Sequence, residues 1–472
     1  MAASTSTIPA VSNPKWMWLG VAIAASLLVA TLPLAGLAPL GHKVLAITIF
    51  TAILWAFGVI NNGVASVLMM GLMIVAGVRP PLALSGFGSP PFWVLVTVLF
   101  YGFAMKKTGL AERLSYYILS LFPASYPGIL SAFFVIGFVL ALGIPSMTVR
   151  TAIMVPIAWA LVQSLGLAPK SKGSALIILT TVEMAVVPGL AFLYGSLGGP
   201  IVAAAFETKH LPLSWLGYAQ VFTFPTLLLC VLILLGNQFI LRPEAPLNAT
   251  PDFARARLQA LGPFKRLELI TGIVVVLSII FWTTDRYHHL PSFVIGTGAM
   301  AVFAFSGILR DEDIGTAVSW SLLLYLGGVF GLANVIQDTK VTDWLAGFIV
   351  PVTRQLTSNL VLLMVVLALA MFVLRFLDPS SFIAISVLFL SVVDVTNAAG
   401  IPPRVVMAAV FIASAPFWMS YQNFWLAMGE GLTGHQAFNS VQRVKAANAY
   451  AIFTLIALTV GVGYWKLIGV LK

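Results

Sequence analysis

Two short polar stretches interrupt otherwise apolar sequence, and they carry the groups best suited to hold a small ion. The first is Leu142-Gly143-Ile144-Pro145-Ser146-Met147-Thr148, and the second is Phe376-Leu377-Asp378-Pro379-Ser380-Ser381-Phe382. Proline has no N–H and clashes with the preceding turn, so a helix stops there and must restart. The restarting helix leaves its first N–H groups unpartnered at the positive end of its dipole, which favours an anion. Ser146, Thr148, Ser380 and Ser381 add hydroxyls at these turns, and carbonyls freed on the other side of each break can hold a cation such as sodium. A single Pro-Ser pair reads most simply as an N-cap. Here Pro379 follows Pro145 by 234 positions, and Gly400-Ile401-Pro402-Pro403 follows Gly166-Leu167-Ala168-Pro169 by the same interval. Two such breaks in register argue for a binding site.

A second pair of breaks follows the first. Tyr194-Gly195-Ser196-Leu197-Gly198-Gly199-Pro200 and Met419-Ser420-Tyr421-Gln422-Asn423 each divide a long apolar run. Glycine often serves packing in membrane helices, but three glycines with Ser and Pro in so short a stretch predict unwound backbone. Charged residues inside apolar runs are costly and are therefore candidates for function. Arg150 lies just after the first tip, where a cation opposes the helix dipole unless an anion visits; its structural alternative is a pair with Glu183. Arg375 and Asp378 are spaced to pair locally. Glu183, Asp394 and Glu430 could carry protons or brace helices. Phe417, Trp418, Tyr421, Phe424 and Trp425 read as packing or as the wall of a pocket.

The elements that must position these residues repeat. Leu110, Leu114, Tyr117, Ile118 and Leu121 form one helical face, and Val341, Leu345, Phe348, Ile349 and Val352 repeat its spacing 231 positions later. These amphipathic stretches, 107–121 and 340–352, suit the two membrane surfaces. Helical spans of about 20 apolar residues are expected at 16–36, 44–60, 63–78, 90–105, 174–205, 214–241, 267–283, 291–307, 316–335, 403–430 and 446–468. Segments 127–165 and 357–396, broken near their middles, read as re-entrant helical hairpins rather than two full spans each. The expected organisation is a tail and first helix (1–43), a first repeat (44–241), a polar linker (242–266) and a second repeat (267–472). With the N-terminus inside, fourteen basic residues fall on the cytoplasmic face and nine outside, as the positive-inside rule prefers. The halves are then inverted repeats, the pattern of secondary transporters with a site between discontinuous helices.

Composition agrees and excludes other classes. The chain is 60% hydrophobic and 8% charged, against about 25% charged for soluble proteins. Its formal charge of +10 fits basic membrane loops better than nucleic-acid binding, because no basic domain with interleaved aromatics exists. The apolar stretch from Trp16 is longer than a signal-peptide core. Cys230 is the only cysteine, so no intramolecular disulfide forms, and the five histidines lack metal-ligand spacing. An integral-membrane enzyme would need a paired-Asp, His-Glu or Ser-Lys constellation near a membrane face, and none is found.

These features resemble the divalent-anion/sodium symporter family, the di- and tricarboxylate carriers of solute carrier family 13, over nearly the whole chain. Pro145, Ser146, Thr148, Arg150 and Thr151 match the first-tip pattern of its exchanger-like branch, with Met147 in place of Asn. Ser196, Gly198 and Gly199 resemble the family's Ser-x-Gly-Gly break beside the first sodium site. Pro379 and Ser380 match the second tip, with Ser381 for Asn and Phe382 for Thr, and Asn423 resembles the Asn that ends the second broken segment. The resemblance implies an all-α polytopic carrier of eleven spans and two hairpins. It further implies a homodimer whose mobile domain slides like an elevator, moving a small organic dianion. Substrate would meet Ser146, Met147, Thr148, Arg150, Ser380, Ser381, Phe382, Ser420 and Asn423. Sodium would meet Ser146, Ser196, Gly199 and Ser380, with no tightly bound cofactor. Fewer sodium ions than usual are expected, because Met147 and Phe382 offer poor ligands to a hard cation, and exchange or proton coupling then becomes a rival to sodium symport. The expected location is the plasma (inner) membrane. Rival readings within the superfamily are a sodium/proton antiporter or a carrier of inorganic oxyanions.

Overall fold

The computed structural model describes residues 14–247, 252–376, 381–419 and 422–471, and among them every regular element is helical. Among the described residues, eight helices are long and apolar enough to cross a membrane. The helices Pro90–Thr108 and Leu110–Ser120 make a ninth span if taken together, bent by 68°. Each of the eleven expected spans contains a helix, and the two expected to be broken are broken. The protein is an all-α, multi-pass membrane protein.

The bend has a local cause that recurs. Gly109 adopts φ +85° between Pro90–Thr108 and the amphipathic arm Leu110–Ser120. At the matching place Lys340 adopts φ +60° between Trp320–Asp338 and a second amphipathic arm, Val341–Leu356. A left-handed residue ends a helix and redirects the chain, so both arms leave their long helices at the same kind of corner.

The two halves interlock. Asn62–Ala76 packs on Trp320–Asp338, while its counterpart Ser292–Phe305 packs on Pro90–Thr108. Polar contacts fall into two sets. Lys107–Asp313, Arg113–Glu268 and Lys172–Glu244 join residues at one face. Arg79–Asp338 and Lys209–Asp394 join residues at the other. The first arm therefore leaves at Lys107's face and the second at Asp338's, which is the inverted arrangement.

The sequence differs from the structure in two respects. The linker, read as a polar loop, holds the helix Asp252–Ala260, which packs on the first arm with Phe253 edge-on to Tyr116. Arg113 fixes that corner by donating through Nε to both Glu268 oxygens, at 3.1 and 3.0 Å, and through its other nitrogens to the carbonyls of Leu261, Gly262 and Pro263. The hairpin arms are also longer than half-helices. Tyr126–Gly143 and Met147–Ser164 have 18 residues each, and Leu360–Leu374 and Phe382–Ala398 have 15 and 17. At 1.5 Å per residue the first two reach about 27 Å, so length alone no longer separates a re-entrant arm from a crossing one.

Candidate substrate and ion site at the paired helix breaks

The first hairpin turns through Ile144, Pro145 and Ser146. Ser146 is buried, and its hydroxyl accepts from Val149 N at 3.3 Å, capping the return arm. Met147 and Thr148 are half-buried in the first turn. Behind this tip the helix Lys172–Val186 gives way to a 3-10 turn, Val187–Ala191, and regular helix resumes only at Gly198. Pro188 supplies no N–H to continue the α-helix, and the carbonyls before it are left for another donor.

Arg150 supplies that donor. Its guanidinium is fully buried: Nε donates to Ala185 O at 2.6 Å, Nη2 to Val186 O at 3.4 Å, and Nη1 to Gly195 O at 2.6 Å and to Ile144 O. The group expected to meet an anion or Glu183 is thus turned to four backbone carbonyls, and it ties the tip to both ends of the unwound segment. Glu183 accepts instead from Asn237 Nδ2 at 2.6 Å. Two glycines let the backbone close around this fork. A Cβ at Gly189 would lie 2.3 Å from Arg150 Nη2, and one at Gly199 would lie 1.4 Å from Leu193 O.

The second half uses the same device from the other arm. Helix Pro403–Ile412 stops, and helix resumes at Phe424. Arg375, at the end of the incoming arm, is fully buried and donates through Nη2 to Asn423 Oδ1 at 2.8 Å and to Gln422 O. Asn423 Nδ2 donates to Pro416 O, so this side chain spans its own break. Trp418 stacks on Phe376 and meets Phe372 edge-on, which seats the break against the incoming arm. Ser381 holds φ +66° just before the return arm Phe382–Ala398, and the half-buried Phe382 ring lies 6.0 Å from that of Tyr325. Ser380 and Ser420, like Asp378 and Pro379, lie outside the described residues.

Cross-packing brings the two breaks together. The distal helix Phe424–Leu432 lies on the first return arm, and Lys170 N donates to Gln436 O at 2.7 Å beyond the far ends of both. They therefore run parallel, and with Gly429 against Val155 the distal helix starts beside the first turns of the return arm. Likewise Gly198–Thr208 lies on the second return arm, and Lys209 pairs with Asp394 at 2.6 Å at their far ends. Gly198 in turn faces the Phe411 ring, next to the second break. Four helix starts, at Met147, Gly198, Phe382 and Phe424, gather in one region. The positive ends of their dipoles make it attractive to negative charge. Ser196 Oγ, fully buried in the first break, has no hydrogen-bond partner among the described residues.

The expected residues Ser146, Met147, Thr148, Ser196 and Gly199 come together at the first tip and break, with Asn423 alongside. Sequence reading missed the carbonyls of Ala185 and Val186, and Gly189 and Gln422. The Pro188-Gly189 pair was a breaker signal that places the first interruption earlier than Tyr194.

The family described as "Sodium:sulfate symporter transmembrane region" matches residues 13–471. The chain belongs to that family. It is thus a membrane transporter rather than an enzyme, as the resemblance at the tips implied. Among relatives, the "Putative malate transporter YflS" of Bacillus subtilis is 25% identical over 345 residues, covering 71% of this chain and 72% of that one. "Dicarboxylate transporter 1, chloroplastic" of Arabidopsis thaliana is 23% identical over 496 residues, covering 99% and 87%. Among solved structures, the Alcanivorax borkumensis YdaH transporter superposes with a TM-score of 0.57 at 14% identity, over 96% of this chain and 98% of that one. That likeness concerns the fold alone.

Proposed function

We propose that this family member is a secondary carrier of small organic dianions of the di- or tricarboxylate kind. The gathering of four helix starts at the paired breaks carries the reading. A dianion with two separated carboxylates suits two pairs of positive helix ends better than a monoanion does, and relatives named for malate and dicarboxylates support it. Ser146, Thr148, Ser381 and Asn423 are the polar groups offered to substrate, with Ser380 and Ser420 expected beside them. Met147 and Phe382 leave an apolar wall for the carbon skeleton. Arg150 and Arg375 act as positioning residues through the backbone they hold. A second reading, an inorganic oxyanion such as sulfate, is favoured by the family's description.

Sodium is the first candidate for coupling. Ser146, Ser196 and carbonyls near Gly199 could hold one ion in the first half, and Ser380 with carbonyls around Ser420 another in the second. A thioether is a weak acceptor and Phe382 has no oxygen, so fewer sodium ions, or anion exchange, are expected. The functional unit is taken as a homodimer in the plasma (inner) membrane, with hairpins and broken helices moving as an elevator against a fixed frame. The molar mass of the detergent-solubilised protein checks the dimer. In proteoliposomes, labelled dicarboxylate uptake should exceed sulfate uptake and be competed by dicarboxylates. Sulfate uptake that dicarboxylates leave untouched would sink the organic reading. A Hill coefficient for sodium of about 2 or more, without stimulation by internal anion, would sink the reduced-sodium reading.

The basic-residue distribution supports a cytoplasmic N-terminus. In a Cys230→Ser background, Lys170→Cys should react with a membrane-impermeant thiol reagent from the cytoplasmic side and Arg404→Cys from the outer side. Labelling of both from one side would overturn the inverted hairpins.

A further inference from the structure

The helix Lys172–Val186 is buried from Gly173 to its end, and it carries a carboxyl group that the reading above does not use. Glu183 is 1% exposed. Among the described residues no cation pairs with it: Arg150 on the neighbouring return arm faces carbonyls, and Arg443 pairs with Glu430 at 3.0 Å. The titratable groups near enough to interact with it electrostatically are Cys230 of Trp215–Ile240 and Tyr450 of Ser440–Leu467. Tyr450 donates its hydroxyl to Ile412 O at 3.0 Å. Tyr218 donates to Leu190 O, and Tyr126 lies near Gly173 at the other end of the helix. An ionised carboxylate here would be a buried charge without a counter-ion, which costs several kcal/mol or more.

The hydrogen bonds identify what is missing. Asn237 Nδ2 lies 2.6 Å from Glu183 Oε2 and 3.1 Å from Thr180 Oγ1, while Glu183 Oε1 and Asn237 Oδ1 have no partner. Two buried acceptors are thus left without donors beside a contact shorter than the usual N–H···O distance of about 2.7–3.2 Å. The two ends of an Asn amide are interchangeable in assignment. With the amide turned over and one proton added, the carboxyl O–H donates to Asn237 Oδ1 at a normal O–H···O distance. The Thr180 hydroxyl then donates to the same oxygen, while Glu183 Oε1 and the turned Asn237 Nδ2 stay without partners among the described residues.

We propose that Glu183 is a proton-binding site of the transporter, filled as the neutral carboxylic acid and emptied to carboxylate plus H+ during the transport cycle. It rests on the transport reading for its place in the cycle, and on the Glu183–Asn237–Thr180 geometry for the site itself. Helix Lys172–Val186 ends in the carbonyls that grip Arg150, so the proton is held within one turn of the groups that set the first tip. One proton carried with a dianion removes one of its two negative charges from the moving load.

The infrared spectrum of the reconstituted wild-type protein at neutral pH should contain a protonated-carboxyl C=O band that is absent from Glu183→Gln. The initial uptake rate should rise about tenfold per pH unit on acidification where Glu183 is mostly ionised. That acid stimulation should be lost in Glu183→Gln, and its midpoint should shift in Asn237→Ser, which removes the partner of the acid O–H. If Glu183→Gln does not fold, shifts of the wild-type band and of the midpoint in Asn237→Ser still decide. No Glu183-dependent band, or pH profiles that superimpose on wild type, would overturn the proposal. If no dicarboxylate is carried, the transport reading fails, while the band and a sulfate-uptake profile still test the proton site.

Discussion

Arg150→Gln is expected to lose uptake and thermal stability together. The guanidinium serves four carbonyls at the first tip and break, and glutamine reaches at most one or two of them. Each buried acceptor left without a donor costs about 1–3 kcal/mol, so two or three such losses approach the whole stability of an ordinary domain, about 5–15 kcal/mol. Arg150→Lys should fail nearly as badly, since a point charge with three donors does not reproduce the planar fork. Melting temperature in detergent and uptake in proteoliposomes read the two effects. A stable Arg150→Gln protein with dicarboxylate affinity weakened about 10–100-fold, the effect of one lost charged hydrogen bond, would instead mean that the guanidinium meets the anion itself.

Gly199→Ala should abolish uptake. The added Cβ would fall 1.4 Å from Leu193 O and 2.7 Å from Leu193 C, so the obstacle is backbone, with no side-chain end to swing aside. The segment from Leu193 to Gly199 would have to open, and Ser196 would move with it. The cost should exceed the ~1–3 kcal/mol of ordinary overpacking. Gly463→Ala is the control: no atom lies within 4 Å of its Cβ position, and it sits inside the helix Ser440–Leu467. There alanine should be neutral or stabilising by up to about 1 kcal/mol. Wild-type uptake by Gly199→Ala would remove the first break from the site.

The sequence alone determined the membrane class, the helix within each of the eleven expected spans, the first hairpin turn and the paired breaks. Each of these is a local property: apolar run length, Pro and Gly punctuation, and the spacing of one helical face. The same locality made the matched arms and their left-handed corners at Gly109 and Lys340 easy to pair, since the duplicated halves keep register. What the chain could not reveal in one dimension was which buried groups satisfy one another. Arg150 read as an anion ligand because an intramembrane charge at a helix start needs a partner, but backbone carbonyls carry no sequence signature. Arg375 was matched by helical spacing to Asp378, which lies outside the described residues, while its described partners include Gln422 and Asn423, 47 and 48 residues on. Glu183 and Asn237, 54 residues apart, are joined only because two buried helices cross at those turns. Only the tertiary structure could decide these pairings, because the low-dielectric interior makes an unpaired polar group costly and favours whichever partner folding brings within reach.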